Sequence, residues 1–254
     1  MVLAIDIGNT NIVIGCFEEE KVIFTERLST RTTSTALEYA VSFKNVLELY
    51  GIKSAEIEGS IISSVVPDIT NVVKNAIQKI TGKDSLIVGP GIKTGLSIKV
   101  DNPAQLGSDL VVGAVAALGE YPVPLAIIDF GTATTITVIN SRNELLGGMI
   151  LPGLMLSMQS LASGTSQLPK ISLDPPKKFI GTNTVDCMKS GILFSAAYGM
   201  DGIIDGIEAE LGERVNVVAT GGLAKVIVPL CKKEITVDDE LLLKGLMEIY
   251  NKNK

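Results

Sequence analysis

One short pattern occurs twice in this chain, and its spacing limits what the chain can fold into. Residues 2–5 are an apolar run that ends in Asp6-Ile7-Gly8-Asn9-Thr10-Asn11, and a second apolar run follows over residues 12–17. Residues 125–128 lead in the same way into Asp129-Phe130-Gly131-Thr132-Ala133-Thr134-Thr135, followed by residues 136–139. Asp6 maps onto Asp129 and Gly8 onto Gly131, both at a distance of 123 positions in a chain of 254. Solenoid and propeller repeats recur every ~20–50 residues. A repeat on the scale of half a chain instead implies two related domains, each large enough to hold its own core. They are expected at 1–120 and 121–254, with the boundary near residues 119–124.

An apolar run, a Gly-containing turn and a second apolar run read as strand, tight turn, strand. Further strands are expected at 21–29, 59–65, 85–88 and 215–219. Helical spacing predicts helices at 36–50, 69–81, 154–162, 184–211 and 241–250. A Val- and Ala-rich helix should end near residue 118 after Asn102-Pro103, and another should start at Leu223. Residues 252–254 should fray. Residues 147–153 read as a Gly-rich stretch, and Glu18-Glu19-Glu20 as a solvated hairpin loop. Hydrophobic residues make up 46% of the chain but aromatics only 4%, with no Trp. The core must therefore be built from Ile, Val, Leu and Ala, which suits mixed sheets covered by helices.

Composition also excludes chemistry. There is no histidine, which removes Ser-His-Asp triads, Cys-His dyads and His-ligated zinc. A general base must be Asp, Glu, Lys, Tyr or Cys. Cys16, Cys187 and Cys231 are odd in number and form no CxxC pair. They read as packing residues in a reducing cytoplasm rather than a disulfide or zinc framework. The net charge is −6 with Lys and Arg scattered, so no basic face for nucleic acid is expected. No basic stretch opens the chain and no apolar run nears ~20 residues, so neither a signal peptide nor a membrane span is expected.

At the first turn, Gly8 is expected to take a positive φ. Asn9, Thr10 and Asn11 supply donors, and converging backbone N–H groups make a concavity for phosphate oxygens. Asp6 at the strand end is able to hold a cation. One such turn is explained as well by an Asp capping its own backbone; two copies favour function. Ala219-Thr220-Gly221-Gly222-Leu223-Ala224 adds a strand that runs through Gly-Gly into a helix, which lets a phosphate or a flat ring approach the backbone.

The order of these three pieces resembles the sugar-kinase, heat-shock-chaperone and actin superfamily. That resemblance implies an α/β fold of two duplicated actin-like (RNase H-like) domains, with mixed sheets, flanking helices and ATP in the cleft between them. The finer text resembles the type III pantothenate kinase family: Asp6-x-Gly8-Asn9-Thr10, Asn102-Pro103, Gly107-Ser108-Asp109, Asp129-Phe130-Gly131-Thr132, Pro152-Gly153, Gly181-x-Asn183-Thr184 and Thr220-Gly221-Gly222. The implied reaction is ATP-dependent phosphorylation of pantothenate to 4′-phosphopantothenate, the first step of coenzyme A biosynthesis. By position, Asp6, Ile7, Gly8, Asn9, Thr10, Asn11, Ile12, Val13 and Thr132 would bind ATP. Asp129 would bind a monovalent cation, potassium or ammonium, and Mg²⁺ would accompany ATP. Asp109 would be the general base, with Gly107, Ser108, Leu110 and Thr184 lining the pantothenate site. The family implies a cytoplasmic homodimer, with no nucleic-acid or membrane partner.

The chemistry is coherent on its own terms. A primary alcohol attacks the γ-phosphorus in line while the protein positions groups and stabilises charge, and a carboxylate accepts the alcohol proton. Spacing alone leaves Asp109 equally readable as an acid in the first turn of a helix. The family usually has Arg where this chain has Leu110, and often Tyr where it has Val100. An apolar side chain cannot replace a bidentate cation; Lys99 is a nearby candidate. Two alternatives therefore stand beside pantothenate: a kinase for another small alcohol, and a nucleotide-binding regulatory homologue without turnover.

Overall fold

The structure is a computed structural model that describes residues 1–19 and 21–254; Glu20, the last residue of the expected hairpin loop, lies outside it. Along the chain come strands β1 (Val2–Ile7), β2 (Asn11–Glu18) and β3 (Lys21–Ser29), helix α1 (Ala36–Leu49), β4 (Gly59–Ser64), helix α2 (Pro67–Thr81) and β5 (Ser85–Ile87). Then follow β6 (Ser97–Ile98), helix α3 (Ser108–Glu120), β7 (Leu125–Phe130), β8 (Ala133–Ile139) and β9 (Glu144–Pro152). Helices α4 (Leu154–Gly164) and α5 (Thr184–Leu211), β10 (Asn216–Thr220), helix α6 (Ala224–Ile227), β11 (Thr236–Val237) and helix α7 (Leu241–Lys252) complete it.

Helix starts and stops follow local chemistry. Thr35 accepts from the Glu38 N–H while the Glu38 side chain accepts from the Thr35 N–H, a reciprocal cap that starts α1. Pro67 opens α2, where its missing N–H costs nothing, and Gly82 closes it in the left-handed conformation. Asn183 caps α5 by accepting from the Asp186 N–H, and Gly212 ends it at φ 74°.

Two compact units result. One comprises Met1–Gly95, Asn102–Ala116 and Leu241–Lys254; the other comprises Leu96–Asp101 and Ala117–Glu240. The first unit's sheet runs β3-β2-β1-β4-β5 and the second's runs β11-β10-β7-β8-β9-β6. Read from its β9 side, the second sheet repeats the first, with β6 added at the edge. In both, the central strand pairs antiparallel with the next strand and parallel with a later one. The duplication seen in sequence is thus a duplication of topology.

Side-chain facing repeats as well. Leu3, Ile5 and Ile7 join α1 and α2 in one core, and Ala126, Ile128 and Phe130 join α4 and α5 in the other. Because neighbours in a strand point to opposite faces, Asp6 and Asp129 emerge on the far side of their sheets from those cores. On that far side of the first sheet lies α7, which packs on β1 and β4. Gly15 and Gly59 admit it: a Cβ on Gly15 would reach Leu243, and one on Gly59 would overlap the Tyr250 hydroxyl.

The Gly-rich stretch lies mostly within a strand: residues 147–152 belong to β9, with Gly147 at φ 142° and Gly148 so close to Ile136 O that a Cβ would overlap it. One expectation is corrected: Lys252 and Asn253 do not fray. Asn253 exchanges hydrogen bonds with Lys93 (N–H to Oδ1 3.0 Å, Nδ2 to O 2.8 Å), and Lys252 Nζ donates to Thr94 O at 3.0 Å.

Leu246 of α7 is fully buried. Leu246→Ala should cost about 2–5 kcal/mol, by lost transfer energy plus the cavity left behind. A urea unfolding midpoint unchanged from the parent protein would show that α7 is not part of the first unit's core.

Candidate functional site

Asp6 is the last residue but one of β1, where it pairs with Val13 of β2 on one side and Ser63 of β4 on the other. Asp129 is the last residue but one of β7, between Thr135 of β8 and Thr220 of β10. Ile7 pairs with Ile12 but Phe130 with Thr134, so the first turn is one residue longer than the second. Asn9, Thr10 and Asn11 are exposed at the tip, while Ile7 and Ile12 are buried beneath it. The expected positive φ at Gly8 is not found. Glycine serves there for another reason: a Cβ would lie 3.2 Å from Asn11 O, inside ordinary contact distance. The turn is closed by the Gly8 N–H donating to Asn11 O at 3.0 Å.

The first unit also places Asp109 at this end of its sheet. The Ser108 hydroxyl donates to Ser64 O at 3.0 Å and accepts from the Ser64 N–H at 3.1 Å. With its one proton so used, it also accepts from the Ser63 hydroxyl at 3.1 Å. Ser63 is fully buried and is the register partner of Asp6. Register partners face the same way, so the start of α3 is tied to the side of the sheet on which Asp6 emerges. The Thr70 hydroxyl backs the arrangement by donating to Ser64 Oγ at 2.8 Å. Sequence reasoning missed Ser63, Ser64 and Thr70, because single hydroxyls at a strand end make no periodic pattern.

Asp109 follows directly. Its Oδ1 accepts from the Leu110 N–H at 2.8 Å, and Gly107 makes room, since a Cβ there would overlap that same oxygen. Two effects oppose each other. Burial raises the carboxyl's pKa above the ordinary Asp value, while N–H groups of Leu110 and of Asp109 itself lower it. Burial wins, so the folded carboxyl holds its proton more tightly than a free one. Ionising it therefore costs stability, a penalty absent below the unfolded-state pKa and fully present above the folded one. A carboxylate held against that cost is suited to taking a proton from an alcohol.

The second unit gathers glycines around its own turn. Gly221 sits at φ 94°, and a Cβ on it would overlap the Asp129 carboxylate and the Phe130 backbone. A Cβ on Gly153 would overlap the Thr132 and Gly131 carbonyls. Thr132 itself is exposed. The Gly221 and Gly153 contacts show why the Gly-Gly and Pro-Gly motifs accompany the turn: backbone must pass against it where no side chain fits.

Thr184 lies on the first turn of α5 and lines an apolar groove of about 1320 Å³ with Phe130, Leu151, Leu154 and Met188. Lys99 is engaged with Glu144 at 3.5 Å. Burial pushes the thiols of Cys16 and Cys231 up to about 11, which makes both packing residues rather than nucleophiles. Cys187 is exposed and donates to Gly181 O at 3.3 Å. Met158 is buried, whereas Met149 and Met155 are exposed. Among the described residues no helix is long and apolar enough to cross a membrane.

With this geometry in place, comparison with known proteins is informative. A family model described as type III pantothenate kinase matches residues 2–206. The type III pantothenate kinases of Halalkalibacterium halodurans and Bacillus cytotoxicus are each 42% identical over 253 residues. The alignments cover 100% of this chain, and 100% and 97% of those proteins. That of Citrifermentans bemidjiense is 41% identical over the full length of both chains. Among solved structures, ethanolamine utilization protein EutJ from Carboxydothermus hydrogenoformans superposes with a TM-score of 0.55 at 16% identity, covering 97% of this chain and 88% of its own. Component A of (R)-2-hydroxyglutaryl-CoA dehydratase from Acidaminococcus fermentans gives 0.56 at 16% identity, covering 100% and 99%. These two share the fold.

Gly221→Ala should destabilise the protein by about 1–3 kcal/mol, since alanine at this φ is strained and its Cβ displaces Asp129. Chemical denaturation measures it, and a variant as stable as the parent would contradict the close packing described.

Proposed function

The chain belongs to the type III pantothenate kinase family, and from that premise we propose how its own residues divide the transfer of a phosphoryl group from ATP to pantothenate. The reaction is the first step of coenzyme A biosynthesis. The observation that carries the assignment of roles is that β4 and the start of α3 bring Asp109 to the same end and face of the first sheet as Asp6.

The turn from Asp6 to Val13 takes up ATP phosphate, and Thr132 is assigned to ATP by its place in the family pattern. Backbone N–H groups at hairpin tips suit anionic oxygens. The pantothenate hydroxyl lies against Asp109, with Gly107, Ser108 and Leu110 beside it in the first unit; Thr184 is assigned to pantothenate by its place in the family pattern. As the hydroxyl oxygen attacks the γ-phosphorus, Asp109 accepts its proton and ADP leaves as the phosphate ester forms. The raised pKa of Asp109 supports this role. Ser108 contributes by anchoring: its hydroxyl is engaged by Ser63 and Ser64, so it fixes the helix that carries Asp109.

Asp6 and Asp129 each offer hard carboxylate oxygens at a strand end, a donor type that fits Mg²⁺ or potassium. Mg²⁺ bound with ATP would neutralise charge across the phosphate oxygens. Asp129 is assigned to the monovalent cation, potassium or ammonium; the Gly221 backbone packed on its carboxylate holds that group in one place. A homodimer is supported by apolar side chains on the second unit's surface, where Ile150 and Ile180 are each 76% exposed and Phe179 is 56% exposed. A single-chain mass in sedimentation equilibrium would contradict the dimer. A cytoplasmic location goes with this reading.

Coupled ADP release with Mg·ATP and pantothenate tests it, with and without potassium. The parent protein should turn over and respond to potassium. Asp109→Asn should lose roughly 10²- to 10⁴-fold in kcat, the range expected for removing a general base, while still binding ATP and melting no lower than the parent at neutral pH. Turnover in Asp109→Asn equal to the parent's would remove Asp109 from the chemistry.

A further inference from the structure

The first turn does not rely on its own hydrogen bond alone for its shape. Thr30, just past β3, donates its hydroxyl to Gly8 O at 2.6 Å. Its N–H donates to Thr10 O at 2.9 Å, and the Gly8 N–H occupies Asn11 O. Three carbonyls of the turn thus point at donors inside the protein. That orientation matters for an anion: a carbonyl oxygen turned toward a phosphate repels it, and a peptide whose C=O points inward presents its N–H edge outward.

Thr30 is itself held from the core. The Arg31 N–H donates to the Tyr39 hydroxyl at 2.9 Å, and that hydroxyl donates to Arg31 O at 2.9 Å. Tyr39 is 4% exposed, lies on α1 and stacks on Phe43 with ring centroids 5.9 Å apart. A continuous line of contacts runs from the packed face of the sheet through Tyr39, Arg31 and Thr30 to the turn.

We propose that Thr30 is a positioning residue for nucleotide binding: its hydroxyl and N–H lock the Gly8 and Thr10 carbonyls inward and so preset the turn for the phosphates of a nucleoside triphosphate. The proposal rests on the reading that this turn holds ATP. It gives a function to a residue that touches no substrate and lies outside the repeated motif. Preorganisation of this kind lowers the ordering cost paid on binding, so its loss appears in nucleotide affinity and not in the acceptor site.

Thr30→Val removes the hydroxyl and keeps the side-chain shape and the backbone N–H. Thr30→Ser keeps the hydroxyl. Tyr39→Phe removes the support behind Arg31 without altering the turn. Calorimetric titration with Mg·ATP and steady-state KM values for ATP and pantothenate are the readouts. Thr30→Val should weaken ATP roughly tenfold, the effect of losing one well-made hydrogen bond, with the KM for pantothenate unchanged. Thr30→Ser should bind as the parent does, and Tyr39→Phe should weaken ATP in the same selective way by less. If the parent binds ATP and Thr30→Val binds it equally, or raises both KM values alike, or Thr30→Ser fails to restore binding, the role of Thr30 is overturned. If the parent binds no ATP, the reading of the turn itself fails.

Discussion

A strand paired along both edges and covered on both faces has no freedom except at its end. β1 is paired with β2 and β4 over its whole length, and β7 with β8 over its whole length and with β10 up to Asp129. Nearly every residue of either strand is buried. The first backbone that can meet a ligand is therefore the turn that follows, and the last side chain on the strand that faces away from the helix-covered core is an aspartate in both copies. Register fixes which face that aspartate takes. A slip of one residue would put Asp6 or Asp129 into an apolar core, a far costlier arrangement than the one found.

The other groups reach the strand ends by means suited to what must be held still. Glycine lets backbone approach: Gly153 and Gly221 press on the second turn where a methyl group would not fit. Hydroxyls fasten elements: Ser108 joins α3 to β4 and Thr30 joins the chain past β3 to the first turn. Asp109 is placed against its own electrostatic preference. Burial outweighs the N–H groups that favour its charge, and removing the charge should not harm the fold. A carboxyl kept at such a cost supports the role in proton transfer proposed for it.

Much of this was legible in the sequence, for identifiable reasons. The repeat of Asp-x-Gly between apolar runs located both central hairpins, since strand and turn signals there agree. The bounds of α5 matched because a capping Asn183 and a terminal Gly212 mark its ends. β9 was hidden because Gly147 and Gly148 weaken any strand pattern, and their reason, the closeness of Ile136, is tertiary. β6 and β11 have two residues each, too few to carry a period. The spacing of α7 announced a helix but not that it would close the first sheet. Gly8 was read for its backbone freedom, whereas its neighbour Asn11 O demands only the missing Cβ. Hydroxyl contacts such as Ser63 with Ser108 leave no trace in a linear pattern at all.

The functional account turns on Asp109, a half-buried carboxyl whose pKa burial raises, acting as the base for the acceptor hydroxyl. The pH dependence of kcat/KM for pantothenate tests it most directly, because that profile reports the free enzyme's essential base. The rate should fall on acidification through an apparent pKa above the ordinary Asp value of ~3.9, in the direction that burial imposes on Asp109. A profile flat down to the ordinary carboxylate range, in protein still folded there, would contradict it.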